Sequence, residues 1–238
     1  MQKMPEAVLW DFDGTLVDTE PLWVGAEQNV LAEYGVEWTY EQGSQMSGMS
    51  WQESSDVMSA AAQSQLGRPL PVSDWQLYET IFMQVADQIQ QTDVPWRAGA
   101  KDLLHAIHAA GIKQALISAS PQAVLDAGLD RIGRHLFEAV VDGQMVTIGK
   151  PHPQGYQMAA ERLNVDPKSA VVIEDSVTGT AAGRRCGAVV LAVPCMQELE
   201  EFPRQRIWPS LEGITPDFLS KLWHELKDDP VERGDETE

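Results

Sequence analysis

The chain has 238 residues, and its 36 acidic side chains against 17 basic ones give a formal net charge of -19. This charge repels nucleic acid and anionic membranes, so we expect neither as a partner. The two cysteines, Cys186 and Cys195, do not make a disulfide framework, and the sequence shows neither a basic signal region nor an apolar run long enough to cross a membrane. These features predict a cytoplasmic protein with one sizeable core.

The first apolar run, residues 7–10, predicts a buried strand that ends in two acidic residues. Because side chains alternate along a strand, Asp11 and Asp13 lie on the same face, and Gly14 allows a sharp turn after them. Two like charges at one opening are costly unless a cation or proton chemistry uses them. An ordinary strand followed by an Asp-Gly turn is the alternative interpretation.

Residues 18–91 follow a different pattern from the rest of the chain. Amphipathic spacing predicts helices over residues 21–34, 51–65 and 73–91, with a Gly-Pro breaker over residues 67–71. The segment contains eleven acidic residues, no lysine, no histidine and one arginine, Arg68. An anionic group bound by this segment would need cationic donors, and the segment offers almost none.

The remainder of the chain alternates between strand and helix patterns. Four more apolar runs predict strands over residues 115–117, 139–141, 170–173 and 189–192, and helical patterns cover residues 100–110, 153–163, 178–186 and 215–226. This alternation predicts an α/β fold with a doubly wound parallel sheet. We expect a core of residues 1–17 and 92–227, an inserted helical domain of residues 18–91, and an acidic disordered tail of residues 228–238.

Polar residues follow three of these strands, where ligands of such sheets bind. Ser118 offers a hydroxyl to a phosphate oxygen, whereas Ser120, before Pro121, is interpreted as the N-cap of the next helix. Glu174 and Asp175 follow the fourth strand, and their hard oxygen atoms suit magnesium. In the loop between the third and fourth strands, two prolines hold Lys150 in a defined position.

These residues resemble the four motifs of the haloacid dehalogenase superfamily, in order: the decapeptide 11–20, Ser118, Lys150 with its two prolines, and Glu174 with Asp175. The resemblance covers residues 7 to about 194 and implies an α/β core with the helical cap of the phosphoglucomutase-like branch. It implies that Asp11 is a nucleophile toward phosphorus and that Asp13 protonates the leaving alcohol and then activates water.

The same resemblance implies how charge is balanced at the site. Ser118 and Lys150 would bind the phosphate, with Lys150 also neutralising the nucleophile. Mg²⁺ would be held by Asp11, Asp175 and the backbone carbonyl of Asp13. Glu174 would either ligate the metal directly or orient a metal-bound water.

Residues 18–23 resemble the sugar- and polyol-phosphate phosphatases of that branch. The mutases of the branch lead one to expect a histidine at Trp23 and an arginine at Trp51, and both departures argue against mutase activity. We therefore interpret a set of residues as substrate-binding: Glu20, Trp23, Gly48, Trp51, Ser118, Ala119 and Lys150. Packing within the cap is the alternative interpretation of the tryptophans.

The prediction is a Mg²⁺-dependent phosphatase that hydrolyses a small phosphate monoester, a sugar or polyol phosphate, through an aspartyl-phosphate. A beta-phosphoglucomutase-like mutase and a non-catalytic phosphate-binding protein are the alternatives, together with a structural module that uses the aromatic residues of the cap. We expect a monomer whose partner is a small phosphorylated metabolite.

Overall fold

The computed structural model describes residues 3–46 and 48–232. Within these residues, six parallel strands form one sheet in the order β3-β2-β1-β4-β5-β6. The strands are β1 (Ala7–Asp11), β2 (Lys113–Ile117), β3 (Ala139–Val141), β4 (Ala170–Glu174), β5 (Val189–Ala192) and β6 (Gln205–Ile207). The predicted doubly wound α/β fold is confirmed. No helix in the described part of the chain has the length and apolar character needed to cross a membrane.

The centre of the sheet is β1, which pairs with β2 on one side and β4 on the other. Its side chains alternate between two buried apolar clusters: Val8 and Trp10 belong to one, and Ala7 and Leu9 to the other. Both faces of β1 are therefore covered, which explains why it is a continuous apolar run. The last residue of β1, Asp11, is left at the edge of this apolar environment.

Helices follow the strands in the core, and in the described part of residues 18–91, the segment predicted to form the cap, there are four helices. The cap contains α1 (Glu20–Glu33), α2 (Tyr40–Ser44), α3 (Trp51–Leu66) and α4 (Asp74–Gln91). The core contains α5 (Ala100–Ala109), α6 (Gln122–Ile132), α7 (Gln154–Leu163), α8 (Val177–Arg185) and α9 (Pro216–Leu226). Helix α4 packs against α6, so the cap rests directly on the core.

The two connections between cap and core run side by side. The Asp18 amide donates to the Pro95 carbonyl at 2.6 Å, and the Arg97 amide donates to the Leu16 carbonyl at 3.1 Å. The chain therefore enters and leaves the cap at one narrow point. The bounds of the cap, residues 18–91, stay a prediction.

Among the strands and helices named above, β6 and α2 were not predicted, and for α6 a start was predicted but no range. The edge strand β6 has three residues and begins Gln-Arg, so it lacks an apolar run. Helix α2 has five residues, too few to show a helical period. Ser120 was predicted to cap α6, and this is wrong: α6 begins at Gln122 with Pro121 at the N-cap and no side-chain cap bond.

The predicted acidic tail, residues 228–238, is described only as far as Glu232. The Asp229 carbonyl accepts a hydrogen bond from Arg204 at 3.0 Å, and Glu232 pairs with Arg184 at 2.7 Å and with Arg185 at 3.0 Å. Contacts with the core therefore extend to Glu232. The rest of the predicted tail lies outside the described residues.

Candidate active site

Polar side chains meet at the edge of the sheet where β1, β2 and β4 end. Asp11 ends β1, Glu174 ends β4, and Ser118 directly follows β2. This edge and the cap line a cleft that is open to solvent. Its described lining includes these residues predicted for the site: Asp11, Asp13, Glu20, Trp23, Gly48, Ser118, Ala119, Lys150 and Asp175.

Lys150 connects two of the carboxylates. Its Nζ lies 2.5 Å from Asp11 Oδ1 and 2.5 Å from Glu174 Oε1. Burial alone would lower the pKa of Lys150, but the charges of Asp11 and Glu174 together raise it above its usual range, so the ammonium form persists. Burial and the charge of Glu174 hold the pKa of Asp11 well above its ordinary value. One ammonium group does not offset the acidic charge gathered here.

A cluster of carboxylates could hold a divalent cation. Oxygen atoms of Asp11, Glu174 and Asp175 lie within 4.8 Å of one another. Asp11 Oδ2 is buried and has no hydrogen-bond partner among the residues that the structure describes. A buried, unpaired carboxylate oxygen is costly, and a hard cation would satisfy it. Burial, followed by the charge of Glu174, also raises the pKa of Asp175 to about 8.

The oxygens of Glu174 already accept several hydrogen bonds. Oε1 accepts from Lys150 and from the Tyr156 hydroxyl at 3.1 Å, and Oε2 accepts from the Asp175 amide at 2.8 Å and from Ser176. By contrast, Asp175 Oδ1 accepts from Thr15 Oγ1 at 3.1 Å. The geometry therefore makes Asp11 and Asp175 better placed than Glu174 to ligate a cation directly.

Asp13 is held by donors from both the core and the cap. Among the described side chains, Ser118 Oγ and Ser120 Oγ donate to its Oδ2 at 2.8 Å and 2.6 Å. Thr19 Oγ1 and Trp23 Nε1 donate to its Oδ1 at 2.6 Å and 3.2 Å. These bonds fix the orientation of the carboxylate beside the nucleophile candidate. They also give Ser120 a role, because its hydroxyl donates to Asp13 and does not cap a helix.

Gly14 is required by the close packing at this point. It has a φ of +81°, and an added Cβ would collide with the carboxylate of Asp175. Glycine adopts this left-handed conformation without steric cost, which other residues do not. The turn after Asp13 therefore depends on a residue without a side chain.

The predicted cap residues are divided between two clefts. Trp23 lines the main cleft and stacks on Tyr78, with ring centroids 6.1 Å apart. Gly48 also lines it, and its carbonyl lies 3.4 Å from Thr178 Oγ1 in the core. Trp51, by contrast, is not among the described residues that line the main cleft, and it lines a neighbouring cleft. Its ring packs edge-on against that of Trp75, with ring centroids 5.2 Å apart.

Several residues at the site were missed by reasoning from the sequence. Thr15 and Thr19 lie inside the quoted decapeptide, where their hydroxyls donate to Asp175 and Asp13. Tyr156 and Glu27 look like ordinary members of helical patterns. Nothing in those patterns indicates that Tyr156 contacts Glu174 or that Glu27 lines the cleft.

Residues 8–193 match the family described as haloacid dehalogenase-like hydrolase. The chain is 30% identical over 186 residues to the phosphorylated carbohydrates phosphatase of Thermotoga maritima, covering 76% of this chain and 82% of that one. It is 29% identical over 205 residues to hexitol phosphatase B of Escherichia coli, covering 83% and 87%. A crystal structure of a CbbY variant from Rhodobacter sphaeroides with xylulose-1,5-bisphosphate superposes with a TM-score of 0.77 at 26% identity, covering 88% and 96%.

Proposed function

The chain belongs to the haloacid dehalogenase-like hydrolases, and we propose that it hydrolyses a small sugar or polyol phosphate through an aspartyl-phosphate intermediate. The phosphatases among its relatives place it among the phosphoric monoester hydrolases. The observation that carries the proposal is the pair formed by Asp11, beside Lys150, and Asp13, whose carboxylate is fixed by donors from the cap and the core.

In the first half of the proposed reaction, a carboxylate oxygen of Asp11 attacks phosphorus. A bond forms between that oxygen and phosphorus while the bond to the leaving oxygen breaks. Asp13 gives a proton to the leaving oxygen, which departs as the alcohol. Lys150 balances the charge of Asp11 and of the phosphoryl group. The single Ser118 proton turns from Asp13 Oδ2 to a phosphoryl oxygen when the ester binds, and Ser120 remains to hold Asp13 Oδ2.

In the second half, water releases the phosphate. Asp13, now ionised, takes a proton from the water, whose oxygen bonds to phosphorus as the bond to Asp11 breaks. The products are inorganic phosphate and free Asp11. Because Asp13 is bonded to Thr19 and Trp23 of the cap segment, its position depends on the cap resting on the core.

We propose that the resident cation is Mg²⁺. Asp11, Asp175 and the backbone carbonyl of Asp13 would hold it, and Glu174 would orient Lys150 and the following turn because its oxygens already accept other donors. When bound, Mg²⁺ would offset the negative charge of the transferred phosphoryl group.

A phosphatase fits the cleft better than a mutase. A mutase must hold a second phosphate on the far side of the reacting centre, which calls for cationic donors from the cap. Among the described residues that line the cleft, Lys150 is the one lysine or arginine, and it lies at the reacting centre. We therefore propose a small monophosphate as the partner of this site.

The test is phosphate release from a panel of sugar, polyol and glycolate monophosphates, with and without Mg²⁺. We expect wild type to release phosphate only with a divalent cation and Asp11→Asn to lose the activity. Asp56→Asn, the same change at an exposed position of α3, is the matched control and should leave the activity unchanged. Release by Asp11→Asn at the wild-type rate would contradict the assignment of the nucleophile.

A further inference from the structure

The cleft continues from Asp13 along one face of α1. Thr19 and Trp23 contact Asp13, and Glu20 and Glu27 follow on the same side of the helix because residues four and seven apart share a face. Glu27 lies one helical turn, about 6 Å, beyond Trp23. The cleft therefore runs from the reacting centre to a second group of polar atoms inside the cap.

Glu27 is deeply buried and firmly held. Its side chain is 6% exposed, and its Oε2 accepts a hydrogen bond from Trp38 Nε1 at 2.9 Å. Gly43 of α2 passes so close that an added Cβ would meet this same oxygen. A buried carboxyl group fixed in this way is rare in a protein interior unless something uses it.

Glu20 adds an unsatisfied acceptor to the same region. Its Oε1 is buried and has no hydrogen-bond partner among the residues that the structure describes. Burial, followed by the charge of Glu27, raises the pKa of Glu20 to about 7, and burial raises the pKa of Glu27 to about 7 as well. Near neutral pH the pair carries less than its full charge, which suits neutral donors better than an ammonium group.

The surroundings of the pair exclude a second anion. The described cap residues that line the cleft with the pair include uncharged side chains: Met46, Ser54, Met58, Tyr78 and Ile81. The other charges that act on Glu20, those of Asp13 and Asp18, are negative as well. Arg68, the arginine of the cap, is exposed in the loop between α3 and α4. A ligand that reaches this end of the cleft must therefore bring hydrogen-bond donors and apolar surface and no second phosphate.

We propose that Glu20 and Glu27 select the substrate by accepting hydrogen bonds from hydroxyl groups at the end distant from its phosphate. This inference rests on the phosphatase function proposed above and narrows its substrate class. Glu27 lies one helical turn, about 6 Å, beyond Trp23 along α1. A substrate whose extended carbon chain passes Trp23 and reaches Glu27 therefore needs about five carbon atoms. The substrate is thus a hydroxyl-rich monophosphate of pentose or hexose size, not phosphoglycolate or a bisphosphate.

Calorimetric titration of the Asp11→Asn protein, with Mg²⁺ present, tests the inference without requiring turnover. The ligands are sorbitol 6-phosphate and hexyl phosphate, which have the same carbon chain with and without hydroxyl groups. We expect Glu27→Gln to weaken sorbitol 6-phosphate binding about tenfold and to change hexyl phosphate binding less than about twofold. Glu20→Gln should act in the same direction. Glu33→Gln, an identical change at an exposed position of α1, should alter neither affinity.

Equal weakening of both ligands by Glu27→Gln would overturn the inference, because it would show a structural role. Tighter binding of glucosamine 6-phosphate than of glucose 6-phosphate would also overturn it in favour of an amine partner. The proposed hydrolase is tested separately: if wild type released no phosphate while the hydroxyl-dependent binding difference persisted, that function would fail and the recognition site would stand. Normal hydrolysis with no Glu27 effect on either affinity would refute the recognition site alone.

Discussion

Replacing Glu27 with glutamine is expected to change how stability depends on pH. Burial raises the pKa of this carboxyl group in the folded chain to about 7 from its ordinary value of about 4.5. The folded protein therefore binds this proton more tightly than the unfolded chain. The protonated Glu27 carboxyl group therefore contributes to the free energy of unfolding. This contribution is fully present below about pH 4.5 and is lost as the pH rises through 7. Glutamine cannot ionise, so the variant does not suffer this loss.

The size of the effect follows from the separation of the two pKa values. Raising the pKa of Glu27 from 4.5 to about 7 corresponds to about 3 kcal/mol of free energy of unfolding across the titration. Most of this change falls between about pH 5 and pH 8. Glutamine keeps an oxygen that can accept from Trp38 Nε1, so the fold should tolerate the substitution.

The assay is urea unfolding of wild type and Glu27→Gln at several pH values across this range. We expect the variant to gain about 2 to 3 kcal/mol relative to wild type between pH 5 and pH 8. The exposed Glu33→Gln should run parallel to wild type, since its carboxyl group lies in solvent in both states. A stability difference between Glu27→Gln and wild type that does not vary with pH would refute the reasoning.

Three further substitutions, with Trp51→Phe as a control, test the site. Lys150→Ala removes the ammonium group beside the nucleophile and should lower kcat/KM for phosphate release about 10³-fold; a loss below tenfold would contradict its role. Trp23→Phe removes one hydrogen-bond donor to Asp13 while retaining an aromatic ring, so kcat should fall about tenfold with little change in Tm. Trp51→Phe, the same change at a residue that packs on Trp75, should leave kcat near wild type. Gly14→Ala should abolish activity and cost at least about 1 kcal/mol in urea unfolding, because its backbone has a positive φ; unchanged stability would contradict that assignment of strain.

The fold and the family could be predicted from the sequence because the informative residues follow apolar runs. Asp11, Ser118 and Glu174 each stand where a buried parallel strand ends, and such ends meet at one edge of a sheet. The predicted fold, family and class of enzyme are confirmed by the sheet order, the family match and the phosphatases among the relatives. The roles assigned to individual residues stay predictions.

What the sequence left open depends on side-chain direction. A serine before a proline is a common helix start, yet Ser120 turns to Asp13 because Pro121 already occupies the N-cap of α6. Trp23 and Trp51 are equally plausible as recognition residues from local sequence. The structure separates them: Trp23 donates to Asp13, and Trp51 packs in the aromatic cluster of the cap. Glu27 could not be recognised, because its burial depends on α2 closing over it.

The covalent intermediate offers the most direct test of the central claim. Rapid acid quench of wild type during turnover of a hydrolysed ester, followed by intact-mass measurement and peptide mapping, reports whether and where the chain is phosphorylated. The account predicts the mass of one phosphoryl group on the peptide that contains Asp11, and none in Asp11→Asn. An active enzyme that shows no phosphoryl adduct under these conditions, or carries it on another residue, would contradict the account.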